Sequence, residues 1–303
     1  MNITSQSIDS KYRGTIVVDS SVLLSLQAQV PDGMKSGHPP VSHFFEILPF
    51  LADHGYKILI PEIVMYESGG VLRNGTCRDD YFDNHRRKDI HTAENRRLKH
   101  FLKQIVRGQY PGIAMVPSDA PKEIKSYLDR LNSITDGYKG RESLKRHHGP
   151  GQNFIKSMST AITKLTQETD KTGFGDRAIE ALLETMKPEI AQGHVTLAAS
   201  DRGMRRRAVD QYRGNLKIMG LRGLMTALVE SGLHEAMGFK PEVTAADMIN
   251  NLGKKNDPIK VRRGLDGRSA SDGSIDFNDP NEDRPFRAGL KELAAELKAA
   301  KKE

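Results

Sequence analysis

Thr15-Ile16-Val17-Val18-Asp19-Ser20-Ser21-Val22-Leu23-Leu24 is the stretch on which the fold turns. Its first four residues are a short, β-branched, mostly apolar run, the pattern of a buried strand. Ser20 or Ser21 can cap a following helix, for which Val22, Leu23, Leu24 and Leu26 supply apolar content. A strand that runs directly into a helix is the opening half of a parallel crossover. Working outward, the same alternation recurs. Strands are expected at Tyr56–Ile60, Ile113–Val116, Val195–Ala199 and Leu216–Met219. Helices are expected at His43–His54 (interrupted by Pro49), after Pro61, and at Arg96–Val106, Asp176–Met186, Arg202–Val209 and Leu221–Glu230. A further helix from Ser118 would bury Ile124, Tyr127, Leu128, Leu131 and Ile134, and Phe154–Leu165 reads as helical.

The expected fold is therefore α/β: a three-layer α/β/α sandwich around a central, mostly parallel sheet of about five strands. Residues 1–13 read as an N-terminal extension. Residues 14–241 form the domain, with helical insertions near 70–95 and 136–173. Residues 242–303 are expected to be a polar, largely disordered tail, with a short amphipathic helix near 287–301 on Leu290, Leu293 and Leu297.

Composition narrows the function. The chain of 303 residues has a formal charge of +7, and its tail from Glu242 balances 12 Lys/Arg against 12 Asp/Glu, so the excess lies earlier. Arg86–Arg107 carries eight Lys/Arg against two Asp/Glu, and Arg202–Arg213 five against one. Such clusters suit a polyanion, although a solvated helix face is the plain alternative for either. No apolar run is long enough to span a membrane, and the start lacks an apolar signal core, so a cytoplasmic protein is expected. A single cysteine, Cys77, excludes an internal disulfide. His85, His91, His100 and the His147-His148 pair lack zinc-ligand spacing on one helix face.

Four carboxylates stand where a strand ends or a helix begins: Asp19, Glu67, Asp176 and Asp201. In a parallel sheet ligands bind beyond the carboxyl ends of the strands, so Asp19 and Asp201 should project at that edge. Glu67 follows Ile63 and Val64 at helical spacing and leans inward, and Asp176 shares a face with Ile179 and Leu183. Glu180, one turn on, is a candidate additional ligand or base. Each acid also has an ordinary explanation, as a helix cap, a first-turn acid or an exposed side chain.

Taken together, Ile16–Leu24, Leu59–Glu67, Gly175–Ile179 and Ala199–Arg202 resemble the PIN-domain nucleases, and Leu216–Leu228 is similar to that family's ending. The resemblance spans roughly residues 14 to 232 without the insertions. It implies that Asp19, Glu67, Asp176 and Asp201 are the catalytic, metal-binding acids for Mg²⁺ or Mn²⁺. Ser200 matches a Ser or Thr that often precedes the last acid, while Ser21 stands where the family often has Asn. Ser21, Glu180 and Ser200 are thus the expected supporting residues. The implied reaction is metal-dependent phosphodiester hydrolysis, with RNA the foremost substrate and an endoribonuclease the foremost reading. Arg86, Arg87, Arg96, Arg97, Lys99, Arg205, Arg206 and Arg207 are the expected phosphate-binding residues. The partner is nucleic acid and no membrane; a homodimer and a protein bound through the tail stay open.

The competing reading is a PIN-like binding module whose acids are idle. A haloacid-dehalogenase-type phosphatase would need a second Asp where Ser21 stands, and a dinucleotide-binding dehydrogenase would need a Gly-x-Gly-x-x-Gly after the first strand. A toxin of a toxin–antitoxin pair stays open for a PIN-like chain, with the added length counting against it.

Overall fold

β1 (Gly14–Val18) is the central strand, and Ile16, Val17 and Val18 are buried on it as their unbroken apolar run requires. The computed structural model describes residues 12–37, 41–71, 93–116, 174–212, 215–252 and 284–300. Around β1 run β2 (Tyr56–Pro61), β3 (Ile113–Val116), β4 (Val195–Ala198) and β5 (Lys217–Met219). They make one five-stranded, all-parallel sheet in the order β3-β2-β1-β4-β5. β1 pairs with β2 on one side (Ile16 opposite Ile58) and with β4 on the other (Val18 opposite Ala198).

The helices are α1 (Ser20–Leu26), α2 (Ile47–Asp53), α3 (Glu62–Gly69), α4 (Ala93–Val106), α5 (Phe174–Thr185) and α6 (Lys187–Ala191). Then follow α7 (Arg202–Tyr212), α8 (Leu221–Glu230), α9 (Leu233–Ala236), α10 (Ala245–Leu252) and α11 (Arg284–Ala300). The chain divides into two compact units. One comprises residues 1–59, 110–114 and 188–303, the other residues 60–109 and 115–187.

Three details differ from the sequence reading. The expected helix at His43–His54 is a 3-10 turn, Phe44–Glu46, running into α2. Pro49 is the third residue of α2, where its missing N–H has no intrahelical acceptor to lose. The cap of α1 is Asp19 and not either serine. The expected polar tail from 242 contains the ordered α10, which was missed. Its start was nonetheless written as Thr244-x-x-Asp247: the Thr244 backbone N–H donates to Asp247 Oδ2 (3.0 Å), and the Asp247 N–H donates back to Thr244 Oγ (3.2 Å). The Thr244 hydroxyl, which donates to the same Oδ2 at 2.6 Å, and after it the Thr244 N–H hold the Asp247 carboxyl below the usual carboxylate range. The helix expected from Ser118, the insertion expected near 136–173 with its Phe154–Leu165 helix, and Cys77 lie outside the described residues.

α11 confirms the expected amphipathic helix and extends it. Phe286, Leu290, Leu293 and Ala294 are buried, and the helix packs on α8 and α9. It also seals the amino-terminal edge of the sheet. The Tyr56 ring meets Phe286 edge-on at 5.6 Å, and a Cβ at Gly289 would lie 2.7 Å from the Tyr56 hydroxyl. Burial there pushes the Tyr56 hydroxyl up to about 12. Arg13 pairs with Glu296, and Arg287 with Glu230, across the seam.

Candidate active site

The order of the sheet fixes where a ligand would go. From β1 the chain moves outward to β2 and β3, then returns to the other side of β1 for β4 and β5. The direction of winding reverses between β1 and β4, and the crevice beyond the carboxyl ends of such strands is where open α/β sheets take ligands. Asp19 immediately follows β1, and Asp201 lies three residues after the end of β4. Both therefore stand at the same edge of neighbouring strands, as expected. The Asp19 N–H donates to Ala198 O at 2.9 Å, which pins the two strand ends together.

Asp19 is buried, with only 1% of its surface exposed. Its Oδ2 accepts the Ser21 backbone N–H at 3.1 Å and the Ser21 hydroxyl, while Oδ1 faces Ser20 Oγ at 3.4 Å. Burial raises the Asp19 carboxyl above its ordinary range, the serine bonds oppose that, and the charge of Asp201 raises it further. A carboxylate that is disfavoured by desolvation and by a neighbouring carboxylate is one that a cation would relieve.

Ser21 joins two elements. Its hydroxyl donates to Asp19 and accepts the Ser200 N–H at 2.9 Å, so one oxygen ties the β1 acid to the loop after β4. The Ser200 hydroxyl in turn accepts the Leu221 N–H at 3.2 Å, linking that loop to the start of α8. Ser21→Ala would leave the Ser200 N–H without this acceptor. We expect it to cost about 1–3 kcal/mol, read as a lowered urea midpoint at unchanged slope. An unchanged midpoint would show that the link carries no energy.

Asp201 is exposed, and its Oδ1 accepts the Met204 N–H at 2.8 Å, capping α7. The cap consumes one carboxylate oxygen. α7 also corrects one expectation: Arg205 is only 2% exposed and cannot grip a phosphate backbone. It faces inward because Met204, Arg205, Ala208 and Tyr212 share the buried side of α7. There it lies 2.8 Å from where a Cβ at Gly220 would stand. Arg207 is half-buried, with Nη2 3.9 Å from Met204 Sδ, and the side chains of Arg202 and Arg206 lie outside the described residues.

The second unit holds the other two acids. α3 packs on α5, and there Glu67 Oε1 accepts the Gly175 N–H at 2.8 Å. Asp176 is the next residue, half-buried in the first turn of α5. Gly175 has a specific reason to be glycine: a Cβ there would stand 2.1 Å from Glu67 Oε2. Glu180, one turn further along α5, is buried at 2% exposure. The sequence left its direction open, and the structure turns it inward.

Gly175→Ala should therefore push the Glu67 carboxylate out of place while slightly favouring the helix. If Glu67 takes part in the chemistry, turnover should fall by about 10- to 100-fold with the melting temperature nearly unchanged. A parallel loss of melting temperature and turnover would mean that the contact is structural only.

The structure thus brings the acids into two local pairs, Asp19 with Asp201 and Glu67 with the Gly175-Asp176 turn. Among the described residues, no group of three or more His, Cys, Asp or Glu is placed to hold a metal ion. Of the expected phosphate ligands, Arg96 and Arg97 are exposed and Lys99 is half-buried on α4; Arg86 and Arg87 lie outside the described residues. No family model matches the chain, and neither a curated protein nor a solved structure shows significant similarity to it.

The fit to a hard cation rests on the first pair. Mg²⁺ commonly takes one or two carboxylates and keeps several waters. Asp19 and Asp201 supply two, one of them buried and electrostatically strained, which suits that donor count.

Proposed function

We propose that this chain is a PIN-like, divalent-metal-dependent phosphodiesterase of nucleic acid, with RNA the foremost substrate and endonucleolytic cleavage the foremost mode. The observation that carries the reading is the Asp19–Asp201 pair at the reversal point of a parallel sheet. Asp19 and Asp201 would hold Mg²⁺ or Mn²⁺, which when bound supplies Lewis acidity toward phosphoryl oxygens. The chain's own part is to keep that pair in place. Ser21 fixes the Asp19 carboxylate and the Ser200 backbone at once, and the Met204 N–H fixes Asp201. Glu67 and Asp176 are assigned to the same reaction by the resemblance, and the Gly175 contact supports a set position for Glu67. Exposed cations on α4 would bind the strand. A cytoplasmic setting goes with this reading; among the described residues no helix is long and apolar enough to cross a membrane.

One observation favours the alternative, a binding module with idle acids: both aspartates also cap helices. Calorimetry separates the two. Mn²⁺ should bind the wild-type chain, and the uptake should vanish in Asp19→Asn/Asp201→Asn together with cleavage of single-stranded RNA. Mn²⁺-dependent cleavage that survives the double substitution would overturn the assignment.

A further inference from the structure

The cations on α4 form a stripe that extends beyond the Arg96, Arg97 and Lys99 of the sequence reading. Arg96, His100, Lys103 and Arg107 follow one another at i, i+4, i+7 and i+11, which places them on one side of the helix. Arg96, His100 and Arg107 are exposed and Lys103 is half-exposed. The Arg107 N–H still donates to Lys103 O at 3.1 Å, so the helical path continues to the last of them. The stripe is about 16 Å long. The opposite side, Leu98, Phe101, Leu102 and Ile105, is buried, and α4 packs on α3 so closely that Leu102 Cδ1 is 2.8 Å from a Cβ placed at Gly69. The helix is firmly seated and its outer side is fixed in direction.

An ordinary solvated helix interleaves acids and bases at i, i+4. From Arg96 to Arg107 there are five Lys/Arg and not one carboxylate. Lys103 and Arg107 are a like-charge pair one turn apart, and such pairs destabilise a helix. Arg96 stands in the first turn, where the helix dipole disfavours a cation. The C-terminal end of the helix dipole favours Lys103 and Arg107, but the stripe as a whole is a run of like charge that a polyanion would relieve. No Phe, Tyr or Trp shares the stripe, so its main grip is on phosphates and not on bases.

We propose that the outer face of α4 is a docking track for the sugar–phosphate backbone of single-stranded RNA, independent of sequence, with Arg96, Lys103 and Arg107 as its charges. This rests on the nuclease reading for its choice of polyanion, but binding can be measured without turnover. The background is Asp19→Asn/Asp201→Asn in EDTA, and the probe is a 5′-labelled 16-mer of uridine followed by fluorescence anisotropy from 50 to 200 mM KCl. Arg96→Gln/Lys103→Gln/Arg107→Gln keeps helix propensity and removes three charges. It should lower the slope of log K against log salt by about 2 and weaken binding about 10-fold at 100 mM. Lys57→Gln/Arg222→Gln/Lys291→Gln, three exposed sites of the other unit, removes the same charge and should leave the slope nearly unchanged. Equal losses in the two triple variants, or no change in the first, would overturn the track. So would displacement of the probe by poly-aspartate as efficiently, per charge, as by unlabelled RNA. A normal slope change in a protein that never cleaves RNA with Mn²⁺ would support the track and overturn hydrolysis alone.

Discussion

Asp19→Asn is expected to abolish cleavage of single-stranded RNA and, in the absence of metal, to raise the melting temperature at neutral pH. The two effects have one cause. Asp19 is a buried acid whose carboxyl is raised by desolvation and by Asp201, so keeping it ionised in the folded chain costs free energy. A raised acid binds more protons folded than unfolded. Its contribution is fully present below the unfolded carboxylate range and is lost as pH rises through the higher folded value. The asparagine variant has no such loss. Asn can keep its oxygen toward the Ser21 N–H and hydroxyl, so the polar contacts survive. We expect a gain of a few degrees at pH 7 that shrinks toward pH 4, and turnover down by about 100-fold or more. Calorimetric scans with and without Mn²⁺ check both halves: the ion should stabilise the wild-type chain and leave the variant unmoved. A variant that melts below wild type at pH 7 would show that the charge is satisfied within the protein.

Leu290→Ala is the second large effect. Leu290 is fully buried on α11, and deleting such a side chain typically costs about 2–5 kcal/mol. That is a large share of the 5–15 kcal/mol that holds a domain together. Truncation after Asp283 also removes the buried Phe286, Leu293 and Ala294 and uncovers Tyr56 and parts of α8 and α9. The loss should then reach about 5 kcal/mol or more. Guanidinium unfolding of the point variant and expression of the truncation test this. An unchanged midpoint in the first and a soluble, cooperative monomer in the second would mean that the helix is dispensable. Truncation should not act by unblocking the proposed site: Tyr56 and Gly14 start their strands, and Asp19 follows the end of one.

Much of this was legible before any coordinates. Ile16-Val17-Val18 could only be a buried strand, and the alternation with helical periods fixed a parallel sheet. The placement of Asp19 and Asp201 at one edge followed from that. The sequence could not say that Ser21 would join Asp19 to Ser200, because hydrogen bonds between residues 179 positions apart depend on strand order. Arg205 misled for a similar reason. Three consecutive arginines look alike as charges, but the helical turn of α7 sends one of them inward. Residues after Glu242 misled through composition: a polar stretch hid the capping pair Thr244 and Asp247 and the spacing of Met248 with Leu252. Lys103 and Arg107 belong to the basic Arg86–Arg107 cluster, but a count of charge by segment does not show that they share one side of α4 with Arg96 and His100.

The seam between Arg13 and Glu296 has a consequence for how the molecule comes into being. β1 pairs early with β2, but its other edge needs β4, and the amino-terminal edge of β2 needs α11, so part of the cover of the first sixty residues comes only from the last hundred or so. At about 5–20 residues per second on the ribosome, the opening strand waits roughly ten seconds or longer for β4. During that interval Ile16, Val17, Ile58 and Leu59 leave the exit tunnel with no cover on one edge. A strand edge left unpaired in this way is exposed to misassembly until β4 and α11 have been made.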